Sequence, residues 1–357
     1  MIDVATSFPP CLIPGAEHLV SEEAPSTQTR NDHGKSLTKI IGTFSIAANA
    51  KIVWDYLSSL VGSSGTMGAD LLAIATDAAA AAYLSGEVHF MDRAELKTID
   101  MLKNAPETSL YNVSGFAHYT APMHCDTAPF DKVEVRQALK WAINRQELVE
   151  KILYGYGSPG NDNPISPAMK FAINPEPVYS YDPEKAKSLL KKAGMEGLKV
   201  DFSASDAAFA GGVDAALLMA EQAKAAGIEI NVVREPNDSY WDNVWLKKPW
   251  SLCYWGGRPV ADMFMSVSLA ADAAWNDTRW KNPRFNELLI AARAETDDAK
   301  RATMYAECQQ LIHDDGGQVV LMFNNYVGAL STKVAHGELN SDFDHDGGYM
   351  WERWWMA

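Results

Sequence analysis

Cysteine, positive charge and long apolar runs are all scarce in this chain. Its four cysteines, Cys11, Cys125, Cys253 and Cys308, stand far apart with no C-x-x-C pair. That excludes zinc-ribbon spacing and the dense disulfide framework of a small secreted scaffold. They read as unpaired thiols, with Cys125 and Cys253 in the interior, although spacing alone leaves a single disulfide open. Lys and Arg total 31 against 46 Asp and Glu, a net charge of −15 over 357 residues. Nucleic acid and anionic membrane both select basic faces, so neither is expected as a partner. No apolar run is long enough to cross a bilayer. The opening MIDVATSFPPCLIPG has no basic stretch followed by an apolar run, so no secretory signal is encoded there. Catalytic signatures are missing as well: there is no G-x-S-x-G, no HExxH, no G-x-x-x-x-G-K-[ST] and no G-x-G-x-x-G. Neither a cofactor nor a resident metal is expected.

What is present is an α/β pattern behind an unusual leader. The first 38 residues are rich in Pro, Ser, Thr and charge, the composition of a flexible segment. Ile41, Phe44, Ala48, Ile52, Tyr56 and Leu60 then recur at helical spacing, and VGSSGTMG (61–68) reads as a joint. Residues 1–66 thus form an atypical leader, flexible with one helix. From Ala69 onward short apolar runs alternate with amphipathic ones. Strands are predicted at 71–76 and 87–91, and helices at 77–84, 93–104 and 133–153. DPEKAKSLLKKAG (182–194) offers an N-cap Asp, a Pro at the first helical position and a closing Gly. Strand 198–204, helix 213–226 and strand 228–235 make a β-α-β unit. The architecture this implies is sheets flanked by helices around a cleft.

Candidate chemistry is sparse. Two S-x-x-K strings occur, at Ser36 and Ser188, about as many as chance supplies. The run DFDHDGG (342–348) gathers Asp342, Asp344, His345 and Asp346, but it is too short for an EF-hand and lacks the terminal Glu. It reads as a solvated acidic turn. The eleven tryptophans are the richer signal. Core filling accounts for most of them, yet flat aromatic surfaces also line ligand clefts. Trp241, Trp245, Trp250 and Trp255 fall within 239–259, which ends in a strand-like SLCYW and a Gly256-Gly257-Arg258-Pro259 turn. Glycines let backbone approach a ligand closely, and strand ends are where α/β clefts bind. Arg258 is a candidate ligand contact, the alternative being a surface pair with a carboxylate such as Asp262. Trp275 and Asn276 precede a helix that starts near Asn282-Pro283.

At these residues a family resemblance becomes specific. Four stretches carry it: AAAAAYLSGEVHFMDR (78–93), APFDKVEVRQALKWAINRQELVEKILYGYGSPGNDNPISP (128–167), YDPEKAKSLLKKAG (181–194) and NPRFNELLIAARAETDDAKRATMYAECQQLIHDDGG (282–317). In order and spacing the chain from about Ala69 to Ala357 resembles the family 5 extracellular solute-binding proteins, the dipeptide- and oligopeptide-binding receptors of ABC importers. The resemblance implies a periplasmic-binding-protein-like, two-lobe (type II) α/β fold. On this pattern 123–335 is a complete second lobe, and 69–122 with 336–357 is part of the first. Members are longer at the N-terminus and carry a signal peptide, so the expectation is a shortened first lobe and a periplasmic role that this chain's own start does not encode.

Peptide-binding members commonly place an Asp after the tryptophan strand to pair with the ligand's α-amino group. Here Arg258 stands near that position, and a guanidinium prefers a carboxylate or phosphate. The leading expectation is therefore a monomeric binding protein for a small peptide or opine-like solute, serving an ABC permease. Tyr254, Trp255 and Trp275 would stack on the solute, Arg258 would fix an anionic group, and Asn276 and Asp206 would add polar contacts. Two other readings stand beside it. One is a serine hydrolase pairing Ser36 or Ser205 with His118 or His124; the other is a fragment without function.

Overall fold

The computed structural model describes residues 78–357. The leader, the strand predicted at 71–76, Cys11 and Ser36 lie outside the described residues. Helix α1 (Ala78–Leu84) leads through Gly86, whose φ is +77°, to β1 (Phe90–Met91). The strand expected over 87–91 shrinks to those two residues, because only they find partners, Leu330 and Ala329. The helix expected at 93–104 starts as a 3-10 turn at Leu96–Thr98 before becoming α2 (Ile99–Asn104). A long strand follows, β2 (Thr108–Thr120).

The helix expected over 133–153 is two helices, α3 (Val133–Trp141) and α4 (Arg145–Ile152). Asn144 breaks it. Its backbone is extended and its side chain accepts a hydrogen bond from the Glu147 N–H. The Asn144 N–H meanwhile donates to Gln222 Oε1 at 2.9 Å. A tertiary partner thus satisfies a donor that a continuous helix would have used, and the apolar periodicity on both sides hides the interruption. Replacing Asn144 with alanine is expected to cost about 1 kcal/mol in urea denaturation; no measurable loss would show that the break is dictated by packing alone.

Next come β3 (Gly157–Pro159) and α5 (Pro183–Ala193), capped by Asp182 and closed by left-handed Gly194 as the sequence predicts. The β-α-β unit is present as β4 (Lys199–Ala204), α6 (Gly212–Lys224) and β5 (Glu229–Arg234), its strands parallel from Lys199 opposite Glu229 to Ala204 opposite Arg234. The short α7 (Tyr240–Asn243) precedes Trp250, whose ring stacks on Phe202 at 4.1 Å and whose indole N–H donates to the Ala121 carbonyl. This joins the two-stranded sheet to the larger one. After β6 (Cys253–Trp255) come α8 (Ala261–Ser268), α9 (Pro283–Ala294) and α10 (Asp298–Asp315). The chain continues through β7 (Val320–Ser331), β8 (Val334–His336), α11 (Met350–Arg353) and β9 (Trp354–Met356).

The main sheet runs β1-β7-β2-β6, with β3 also on β7, and every pairing is antiparallel. Its two long strands pass through separate cores. Ala121 and Met322 belong to the core around α3 to α6, while Tyr111, Ala117, Tyr326 and Leu330 pack with Met350 and Trp354. Pairing of β2 with β7 lapses between Ser114 and His118. No helix among the described residues is long and apolar enough to cross a membrane.

Two local expectations are corrected. In DFDHDGG one residue departs from a solvated turn: Asp346 is buried and accepts hydrogen bonds from the Asn340 N–H and the Trp354 indole, with Arg353 beside it. Its neighbour His345 pairs with Asp92. Of the described thiols, Cys253 and Cys308 are buried whereas Cys125 is only half-buried.

Candidate ligand site

Strand alternation builds the site. In Cys253-Tyr254-Trp255, Cys253 and Trp255 share one face and Tyr254 takes the other. Cys253 and Trp255 are buried and Tyr254 is half-buried, edge-on to Trp241 at 5.4 Å. On β2 the partners are His118 for Trp255 and Tyr119 for Tyr254.

The turn beyond the strand is held tightly. A Cβ on Gly257 would stand 2.4 Å from the Asp342 carbonyl oxygen and 3.0 Å from the Phe116 Cβ, so only glycine fits. Arg258 Nη1 donates to the carbonyls of Gly256 and Gly257 at 3.2 and 3.0 Å, which lays the guanidinium over its own turn. Asp262 is engaged elsewhere, accepting from Arg293 Nε at 3.2 Å.

Behind the turn stands a tryptophan wall. Trp245, Trp255 and Trp275 have ring centroids 6.1, 6.2 and 6.3 Å apart, and Phe264 meets Trp255 edge-on at 5.3 Å. Trp255 is only 4% exposed, so it backs the wall, while Trp245 and Trp275 are partly open. Sequence reasoning missed the residue beneath them. Asp277 is buried, and its Oδ2 accepts the indole N–H of Trp255 at 3.1 Å and of Trp245 at 3.3 Å. Burial pushes its carboxyl up to about 6, against the lowering effect of those donors. A buried acid leaves no mark in composition; only its position inside an aromatic loop could have hinted at it. His118 was named as a possible base but sits between Phe264 and Phe323 at 5.2 and 5.6 Å. Burial, with the Arg258 charge adding to it, pushes His118 down to about 3.

The remaining candidates are placed differently. Asn276 spends both amide hydrogens on the Ala270 and Trp280 carbonyls and accepts from Thr278, all within its own loop. Asp206 is exposed and accepts from the Val213 N–H at the start of α6. Ser205 donates to Asn237 at 2.6 Å, and Ser188 is exposed in mid-helix on α5. Burial pushes His124 down to about 4, leaving it a poor base. Among the described residues no group of three or more His, Cys, Asp or Glu is placed to hold a metal ion. The geometry is therefore that of a tryptophan cluster packed on the core around Phe264 and Phe285, with the Arg258 turn at the end of its strand.

Residues 70–277 match the bacterial extracellular solute-binding proteins, family 5 (middle). The chain belongs to this family. This family 5 chain is 30% identical over 258 residues to heme-binding protein A of Haemophilus influenzae, covering 70% of the chain and 46% of that protein. It is 29% identical over 204 residues to the dipeptide-binding protein of Escherichia coli, covering 54% of the chain and 38% of that protein. Among solved structures it resembles the periplasmic binding protein DppA of Helicobacter pylori in complex with the peptide STSA. The TM-score is 0.65 at 24% identity, covering 71% of the chain and 51% of that structure. Its fold is accordingly that of the type II periplasmic binding proteins. The family 5 chain spans about half the length, or less, of these relatives.

Proposed function

We propose that this chain is a solute-binding component of an ABC importer, acting as a monomer outside the cytoplasmic membrane and handing its solute to a permease. The solute we infer is a small peptide or opine-like molecule that presents an anionic group to Arg258. Trp275 stacks on it with the buried Trp255 behind, while Tyr254, on the other face of β6 beside Trp241, enters from the opposite side of the strand. The observation that carries this reading is the Gly256-Gly257-Arg258 turn, fixed at the end of β6 beside the tryptophan wall. Relatives named for peptides support the solute class. Asn276 and Asp206 enter only as outer contacts, since both already serve their own loops. The second lobe is taken as 123–335, with 69–122 and 336–357 as parts of the first; the core that gathers Met123, α3 to α6 and Met322 supports a start near 123.

The test is calorimetric titration of the 357-residue chain with trialanine, its C-terminal amide and glutathione. The free carboxylates are expected to bind about tenfold more tightly than the amide, a difference that Arg258→Ala removes. If Arg258→Ala leaves the affinity for every anionic ligand unchanged, the assignment of Arg258 is wrong. Labelling of one serine by a phosphonate probe, abolished by its alanine variant, would instead favour a hydrolase.

A further inference from the structure

We propose that Asp277 is a positioning residue of the tryptophan wall: one buried carboxylate oxygen holds Trp245 and Trp255 together, and a proton on that carboxylate loosens the wall. The inference deepens the reading above and rests on it for its consequence in binding, but its own test needs no solute.

The geometry carries it. Two indole N–H groups from different segments, one after α7 and one on β6, converge on the same Oδ2 at 3.3 and 3.1 Å. Indole nitrogen only donates, so each ring depends on an acceptor here. The other oxygen, Oδ1, is buried without a partner, as are both side-chain polar atoms of Gln318. Besides the two indoles, the groups facing the carboxylate are the Gln318 amide and the Cys253 thiol. The thiol is held neutral, because burial and Asp277 itself push it well above its usual range. The two indoles, the amide and the thiol are the groups that chiefly offset the cost of burying its charge. Loss of that charge turns two charge-assisted bonds into ordinary ones, roughly half as strong.

The direction follows from the folded value of about 6 against the ordinary 3.8. Above about 6 the carboxylate is charged and grips both indoles; below it the acid is neutral and the grip relaxes. His118 and His124 titrate near 3 and 4 and lie outside this window.

The experiment follows tryptophan emission and acrylamide quenching of the full chain between about pH 4.5 and 7.5. The parent and Asp277→Asn are compared, with near-UV circular dichroism reporting the fold. Asparagine still offers one carbonyl oxygen to both indoles but cannot titrate. The parent is expected to show a step centred near 6, with quenching about twofold greater on the acid side. Asp277→Asn should show the acid-side signal at every pH. A flat profile in the parent, or a step that survives in Asp277→Asn, overturns the proposal. A step abolished by Asp277→Asn in a protein that binds none of the tripeptides would uphold the positioning role and sink the peptide reading alone.

Discussion

Replacing Asp162 with alanine is expected to destabilise the protein by about 3–5 kcal/mol at neutral pH, measured by urea denaturation. Asp162 and Arg145 are both buried, and Arg145 Nη2 donates to the two carboxylate oxygens at 2.9 and 2.7 Å. The pair is anchored on the first residue of β7: Arg145 Nε donates to the Val320 carbonyl at 3.0 Å, and Asp162 accepts from the Val320 N–H at 2.8 Å. Removing the acid leaves a guanidinium sealed from water with only carbonyls around it, and an unsatisfied N–H on the sheet. Uncompensated charge, more than the lost bond, sets the size of the effect. Replacing both residues, Arg145→Met with Asp162→Leu, should recover part of the loss. A cost below about 1 kcal/mol for the single change would mean that water reaches the pair.

The second large effect concerns acid. His118 makes no well-aligned hydrogen bond through either ring nitrogen, and the backbone of Phe116 supports its charged form less than burial penalises it. Its folded value is about 3 and its ordinary one 6.5. Below 6.5 the unfolded chain takes up a proton that the folded chain refuses, so stability falls by about 1.4 kcal/mol per pH unit until about 3. Between pH 7 and 4 the parent should therefore lose about 3 kcal/mol more than His118→Phe, in parallel urea titrations. Equal losses would show that the imidazole finds water or a partner on acidification.

What could be read from sequence was local, and what could not was tertiary. Helix α5 announced both its ends through Asp182, Pro183 and Gly194, and the β4-α6-β5 unit followed from alternating runs closed at Gly227. The two longest strands escaped notice. Gly115 and Ser114 interrupt β2, and Asn324 and Asn325 interrupt β7. Much of β7 is buried on both faces, so neither strand shows a period of two. The β6 strand and its turn were legible around Trp255 and Arg258 because strand, glycines and arginine are contiguous. Asp277 was not, because its significance lies in two indoles, one 32 and one 22 positions away. Asn276 looked like a contact and proved to be the internal brace of its loop.

The shifted register of β2 against β7 lies beside the Arg258 turn. Along most of their length these strands share regular rungs, from Thr108 opposite Ser331 to Ser114 opposite Asn325, and such a ladder resists bending in its own plane. Between Ser114 and His118 the register shifts, three residues of β2 standing against Asn324 alone, while Phe116 and Ala117 remain packed in cores on either side. This stretch includes Phe116, whose Cβ lies against the Gly257 position of the turn that holds Arg258. The irregular point of the sheet and the turn that holds Arg258 are thus packed directly against each other.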